Sequence, residues 1–165
     1  TPTTINSRQH ETELINKGVE PSRIISVPCL LLESVIQNNP DSPDVFLKIE
    51  ECLYTTIKDL ERQKKIYLAL CCTHYEYSSH SFEKFLHSNR FVYEVLNPNE
   101  KMLESLIFNN NKKNEKEPKI VMKVVSKTKI KESDINSINQ ILRIKCPELQ
   151  EVLANYEYKP DLFKL

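Results

Sequence analysis

The sequence predicts an α/β fold, in which helices lie against a layered parallel sheet. Two observations support this prediction: segments typical of strands alternate with segments typical of helices, and the segment 65–72 carries a continuous apolar run. Alternating elements favour right-handed β–α–β crossovers. A continuous apolar run of strand length is typical of a strand that is buried on both faces of a parallel sheet. The 165 residues suffice for one domain, or for one domain and part of another.

The N-terminal part predicts a helix, a strand and a second helix. Residues 7–17 favour a helix that ends at Gly18, because glycine suits the position after a helix C-terminus. Residues 23–27 are short, rich in β-branched side chains and bounded by prolines, which predicts a buried strand. Residues 29–37 then favour a helix that ends before an Asn-Asn-Pro sequence.

The next helix has the clearest pattern in the sequence. Ser42 can cap it, Pro43 fits its first turn, and we expect it to end near Arg62. Apolar residues recur along it at helical spacing: Val45, Phe46, Ile49, Cys52, Leu53, Ile57 and Leu60.

Strands and helices alternate again as far as residue 108. The strand at 65–72 is followed by a short helix at 81–87 and by a strand at 91–96. An Asn-Pro-Asn turn then caps a helix that covers about residues 100–108. This order continues the α/β pattern.

The remaining residues differ in composition. Residues 109–118 contain no apolar side chain, which predicts a flexible surface loop. A strand at 119–125, a helix at 133–144 and a last helical stretch at 147–156 follow. The lysines of the loop are interleaved with acidic residues and lack aromatic neighbours, so a solvated loop is favoured over a nucleic-acid patch.

The composition excludes several classes of function. The formal net charge is +0, which gives no general attraction to nucleic acid or to an acidic membrane surface. The longest apolar runs are much shorter than a membrane span, and no signal-peptide pattern begins the sequence. Five cysteines without regular spacing fit a reducing compartment, so we expect a cytoplasmic protein.

Cofactor and metal sites are also disfavoured. The chain has 1 glycine and lacks both the GxGxxG and the Walker sequence, so we expect no nucleotide cofactor. Cys71 and Cys72 are adjacent, and adjacent cysteines rarely bind one tetrahedral ion or form an unstrained disulfide. No CxxC or HxxxH spacing is present either, so we expect no metal. We expect His80 and His87 to face solvent, and the remaining cysteines to be packing residues: Cys29, Cys52 and Cys146.

The candidate site is the segment 71–74, with the sequence Cys-Cys-Thr-His. It lies at the carboxyl end of the strand at 65–72, where open parallel sheets bind ligands. His74 can orient a neighbouring thiol or shift its ionisation, and the thiolate is the reactive form of cysteine. Thr73 offers a hydroxyl that can bind a carboxylate or an amine. The alternative interpretation is that cysteine serves here only as a small apolar packing residue.

Four consecutive residues of this segment match a known motif. The sequence Cys72-Thr73-His74-Tyr75 resembles the centre of the Gly-Cys-Thr-His-Tyr-Pro motif of glutamate racemases. The resemblance extends through about residue 108, and beyond it only the order of strands and helices agrees. Two further segments have the family's spacing, one of the form Thr-x-x-Thr-x-x-Ser and one of the form Val-x-Cys: Thr1, Thr4 and Ser7, and Val27, Pro28 and Cys29.

The resemblance implies a cofactor-independent amino-acid racemase in which two thiols face opposite sides of the substrate Cα. Cys72 would be the acid/base of one face, and His74 would assist it. Thr73 and Thr4 would bind the substrate, which would be glutamate or else aspartate. The implied role is the supply of D-glutamate for bacterial peptidoglycan, and hence cell-wall biogenesis and cell shape.

The resemblance also implies a domain organisation. We expect the chain to be the C-terminal part of a longer protein, in which residues 1–90 form a racemase-like α/β domain with the second catalytic cysteine. Residues 91–165 would belong to a second, similar domain that lies N-terminal in the whole protein. We expect exposed apolar patches there or association with another copy, since homodimers are usual in this family.

Several positions differ from the family's pattern. Cys71 replaces a glycine, Glu76 replaces a proline, and Ile36 replaces an acidic residue, although Glu33 lies one turn earlier on about the same helix face. The family's other thiol segment, Ala-Cys-Asn-Thr, has no counterpart in the sequence. The alternative function is therefore a racemase-like domain that has lost catalysis and serves as a binding or regulatory module. A related lyase is a third interpretation.

Overall fold

The computed structural model of the protein describes residues 2–108 and 121–163. The chain divides into two compact units, Thr1–Ile107 and Phe108–Leu165. The first unit therefore includes residues 91–107, which the sequence-based division at residue 90 assigned to the C-terminal segment. The predicted loop at 109–118 lies outside the described residues.

The first unit begins with two short helices, α1 (Pro2–Ser7) and α2 (Gln9–Asn16). Arg8 separates them because it adopts a left-handed backbone conformation with φ 48°. The chain leaves α2 through Gly18 at φ 90°, a conformation that glycine adopts without strain. The single helix predicted for residues 7–17 is thus shorter than expected.

The predicted strand at 23–27 is wrong. A 3₁₀ turn covers Pro21–Arg23, and within the described part of the chain residues 24–27 pair with no strand. The β-branched side chains do favour an extended backbone, but a strand also needs a hydrogen-bonding partner. Ile25 is exposed, as expected for extended chain outside a sheet.

Helices α3 (Leu32–Asn38) and α4 (Pro43–Ile57) follow. The predicted cap of α4 is confirmed, since the Ser42 hydroxyl accepts a hydrogen bond from the backbone N–H of Asp44 at 3.2 Å. The predicted apolar face is buried along α4: Val45, Ile49, Leu53 and Ile57.

The centre of the first unit is a parallel pair of strands, β1 (Lys65–Ala69) and β2 (Val92–Leu96), joined by α5 (Ser79–Ser88). The register runs from Lys65 opposite Val92 to Ala69 opposite Leu96. The inner side chains of the strands pack against a core of residues from α3, α4 and α5, together with Leu70, which directly follows β1, and Phe91, which directly precedes β2. The helices contribute Leu32, Ile36, Val45, Ile49, Leu53, Ile57, Phe82, Phe85 and Leu86.

The other face of this sheet is open, so the prediction that the strand at 65–72 is buried on both faces is wrong. Tyr67 is 57% exposed and Val92 is 52% exposed. Lys65 and Glu94 form an ion pair at 2.7 Å between the two strands, with both side chains exposed. Only every second residue of the apolar run is packed against the core, because Ile66 and Leu68 alternate along the strand with exposed residues.

The chain leaves β2 through helix α6 (Pro98–Phe108). The second unit contains α7 (Glu132–Lys145) and α8 (Pro147–Ala154), which agree with the helices predicted there. Strand β3 (Val125–Ser126) pairs in parallel with β4 (Glu157–Tyr158) and is shorter than the strand predicted for 119–125.

The predicted α/β class is confirmed at the level of helices combined with small parallel strand pairs. Within the described ranges, every helix is too short or too polar to cross a membrane.

We expect Phe85→Ala to destabilise the protein by about 3–5 kcal/mol, because the ring is fully buried and its removal leaves a cavity in the core. Tyr67→Ala, on the open face of the sheet, should change the free energy of unfolding by less than about 1 kcal/mol. Urea unfolding of the whole chain, followed by circular dichroism, measures both. Losses of equal size would contradict this assignment of the two sheet faces.

Candidate functional site

The candidate site lies where β1 and β2 end. The backbone N–H of Leu70 donates to the carbonyl of Leu96 at 2.9 Å, so the parallel pairing continues one residue beyond β1. Cys72 then has an extended backbone and precedes a 3₁₀ helix, Thr73–Ser78. Because both strands run in the same direction, the turns that follow them meet at one edge of the sheet.

The structure brings Cys72 and His74 together. The Cys72 Sγ lies 3.8 Å from the His74 Nδ1, and both residues are half-buried. This is the outer range of a hydrogen bond that involves sulfur, and the histidine tautomer determines which of the two groups donates. Thr73, between them in sequence, is exposed, so its hydroxyl can reach a ligand.

The fourth predicted site residue cannot be placed in the same way. The backbone of Thr4 belongs to α1, but its side chain lies outside the described residues. The predicted contact of Thr4 with a substrate therefore stays a prediction.

Two anchors hold the 3₁₀ helix on the side of α3 and α5. The Tyr75 hydroxyl donates to the carbonyl of Cys29 at 3.4 Å, and its ring lies 5.5 Å from that of Phe82. The buried Ser78 hydroxyl donates to the carbonyl of Pro40 at 2.8 Å. Sequence reasoning missed both roles. Tyr75 was noted only as part of a motif, and Ser78 has no pattern that predicts its partner 38 residues away.

A third anchor holds the 3₁₀ helix on the side of α6. The Asn99 side-chain amide donates to the Glu76 carboxylate at 3.2 Å, and both residues are half-buried. The backbone N–H of Asn99 donates in turn to the Asn97 side-chain oxygen at 3.1 Å, which caps the first turn of α6. The predicted Asn-Pro-Asn cap is therefore present, and the helix begins at Pro98.

The cysteines near the site differ in their surroundings. Burial, followed by the neighbouring Cys52 thiol, raises the pKa of Cys29 to about 12. Partial burial of its sulfur also raises the pKa of Cys71, although the residue as a whole is exposed. Cys29 is therefore a neutral thiol at physiological pH, in agreement with its predicted packing role.

Ile36, at the position where the resemblance to glutamate racemases predicts an acidic residue, is 1% exposed and belongs to the core. Glu33, one turn earlier, lies close enough to Tyr75 to raise the pKa of its hydroxyl, after the larger effects of burial and of the neighbouring thiols. The Glu33 carboxylate of α3 therefore acts electrostatically on the Tyr75 hydroxyl.

In the part of the chain that the structure describes, no group of three or more His, Cys, Asp or Glu side chains is placed to hold a metal ion. His80 is exposed, with its Nε2 at 3.7 Å from Asp41, and His87 is exposed at the end of α5. The prediction that both histidines face solvent is confirmed.

Fold and site together define an α/β protein with a thiol and an imidazole at the carboxyl end of a parallel strand. Comparisons with family models, with curated proteins and with solved structures give no match. The resemblance to glutamate racemases therefore rests on the sequence motifs alone.

We expect the stability of the protein to fall as the pH rises from about 9 toward 12, in part because of Cys29. Its thiol ionises more readily in the unfolded chain, where the pKa is lower, so deprotonation favours unfolding in this window. Cys29→Ala removes this titration, and its urea midpoint should fall less steeply than that of the wild type.

The measurement is urea unfolding at several pH values between about 8 and 11. Cys146→Ala, in the second unit, is the matched control and should follow the wild type. Parallel pH dependences for wild type and Cys29→Ala would show that the half-buried Cys29 thiol does not contribute to the loss of stability.

Proposed function

We propose that the chain carries one half of the active site of a cofactor-independent amino-acid racemase of the glutamate/aspartate type. The observation that carries the proposal is the contact of 3.8 Å between the Cys72 thiol and the His74 imidazole at the carboxyl end of β1. The exposed Thr73 hydroxyl beside them supplies a polar contact for a small substrate.

The proposed chemistry is a proton transfer at the substrate Cα. In the tautomer with an unprotonated Nδ1, His74 accepts the Cys72 proton, and the resulting thiolate removes the Cα proton. A second acid on the opposite face returns a proton and inverts the centre. The Cα–H bond is weakly acidic, so the thiolate must approach it closely and the developing negative charge must be stabilised.

Glutamate is the substrate that the resemblance implies, and aspartate, which is shorter by one methylene, is the alternative. D-glutamate would serve bacterial peptidoglycan in the cytoplasm. We propose a homodimer as the assembly, with no membrane or nucleic-acid partner. The site residues that we assign are Cys72 and His74 for proton transfer, with Thr73 and Thr4 for substrate binding.

A specific observation favours a second function, that of a racemase-like binding or regulatory module. The position at which the family carries an acid near the histidine holds Ile36, whose side chain is part of the hydrophobic core. A site without that acid can still bind an amino acid through Thr73 and the turn after β1, although proton transfer through His74 loses one source of orientation.

The test is hydrogen–deuterium exchange at Cα when L- and D-glutamate are incubated with the full-length protein in D₂O. We expect exchange with the wild type and a loss of at least about 100-fold in Cys72→Ser, because a serine hydroxyl is a much weaker acid/base. Cys71→Ser is the matched control, since it changes the adjacent thiol, and should keep most of the activity.

The same samples separate the two functions. Binding of glutamate by calorimetry without exchange of either enantiomer would favour the binding module. Equal exchange rates in Cys72→Ser and in the wild type would remove Cys72 from the mechanism.

A further inference from the structure

The turn that carries Cys72 is part of a closed ring of contacts at the edge of the sheet. From β1 the chain runs through Cys72 to Glu76, and Glu76 accepts the hydrogen bond of Asn99. Asn99 is held by Asn97, which directly follows β2. The pairing of β2 with β1, extended by the hydrogen bond from Leu70 to Leu96, completes the ring.

We propose that Asn99 is a positioning residue for the Cys72 thiol and that it acts through Glu76. The hydrogen bond between them joins segments 23 residues apart in sequence and ties the first turn of α6 to the turn after β1. The Asn97 side-chain oxygen accepts a hydrogen bond from the backbone N–H of Asn99, which holds the Asn99 backbone at the start of the helix.

The turn needs such support because of its own geometry. A 3₁₀ helix has weaker hydrogen bonds than an α-helix, so the short Thr73–Ser78 segment depends on external contacts. Tyr75 and Ser78 hold it toward α3 and α5. Glu76 provides support toward α6, and the acceptor is a carboxylate, which forms a stronger bond with an amide than a neutral oxygen does.

The residue type at position 76 is consistent with this role. The ring of a proline fixes its φ angle, whereas the φ angle of a glutamate is free to rotate. In this chain the turn at Glu76 is therefore held by a side-chain contact. A loss of the Asn99 amide should loosen the turn and, with it, the placement of the Cys72 Sγ relative to the His74 Nδ1.

The experiment combines Asn99→Ala, Glu76→Ala, their double variant and Glu76→Gln. The primary readout is the rate of alkylation of Cys72 by iodoacetamide across a pH series, followed by mass spectrometry of the labelled peptide in the full chain. The inference depends on the proposed function only for a second readout, the kcat and KM of Cα exchange.

We expect Asn99→Ala and Glu76→Ala each to raise the alkylation rate of the half-buried Cys72 by at least about threefold and to alter its pH profile. The double variant should equal the single ones, because both remove the same contact. Glu76→Gln should have an alkylation rate between those of the wild type and Glu76→Ala, since its neutral amide oxygen accepts the same hydrogen bond but less strongly than a carboxylate does. For exchange, kcat should fall about tenfold with little change in KM.

Lys101→Ala is the matched control, because it removes an exposed ion pair on the same helix and should leave Cys72 unchanged. Additive effects in the double variant, or a Glu76→Gln variant that behaves like Glu76→Ala, would overturn the inference. An unchanged alkylation profile in Asn99→Ala would overturn it as well. If the variants show the expected alkylation rates but neither they nor the wild type exchange the Cα proton, the positioning role is supported and the racemase proposal is rejected.

Discussion

The parallel pairing of β1 with β2 determines where chemistry is available in the first unit. The two strands are separated along the chain by α5, yet Ala69 lies opposite Leu96, and both strands end at the same edge. The pairing depends on the core beneath it, where Phe82, Phe85 and Leu86 of α5 are buried against the inner face of the sheet. Burial of these large side chains supplies the main driving force for closing the β–α–β unit. The turn after β1, which carries Cys72, and the turn after β2, which carries Asn97, are neighbours only because the two strands pair in parallel.

Several cysteines lie around the core of the first unit, and their thiols differ in burial and in neighbouring groups. These differences determine the chemistry that is open to each thiol. Cys29 packs against the core, and burial raises its pKa to about 12, so it stays neutral. Cys71 is exposed as a residue, its backbone N–H donates to the carbonyl of Ala69 at 3.1 Å, and partial burial of its thiol raises its pKa. Cys72 differs from both because an imidazole nitrogen lies 3.8 Å from its sulfur. A thiol with a nearby proton acceptor is suited to acid/base chemistry, whereas a thiol among apolar side chains is suited to packing.

Local patterns in the sequence predicted the elements that depend on local interactions. The Ser42 cap and the buried stripe of α4 follow from the hydroxyl and from the 3.6-residue period, and both are present. The strand predicted at 23–27 failed because a strand requires a partner elsewhere in the chain. The location of Cys72 beside His74 could be expected from their spacing at a strand end. The bond between Glu76 and Asn99 could not, because polar contacts between distant turns have no periodic signal.

The contact between the Cys72 sulfur and the His74 imidazole is long for a hydrogen bond, at 3.8 Å. In the proposed mechanism, this contact would have to shorten when a substrate binds. The backbone of the turn is held on three sides, by Tyr75, Ser78 and Glu76, so a large backbone movement is not available to shorten the contact. Rotation of the two side chains is available, since both are only half-buried. In the proposed mechanism, a substrate that packs over the thiol would bring the sulfur and the nitrogen together by selecting side-chain rotamers on a fixed backbone. Selecting rotamers costs less conformational entropy than folding a loop does.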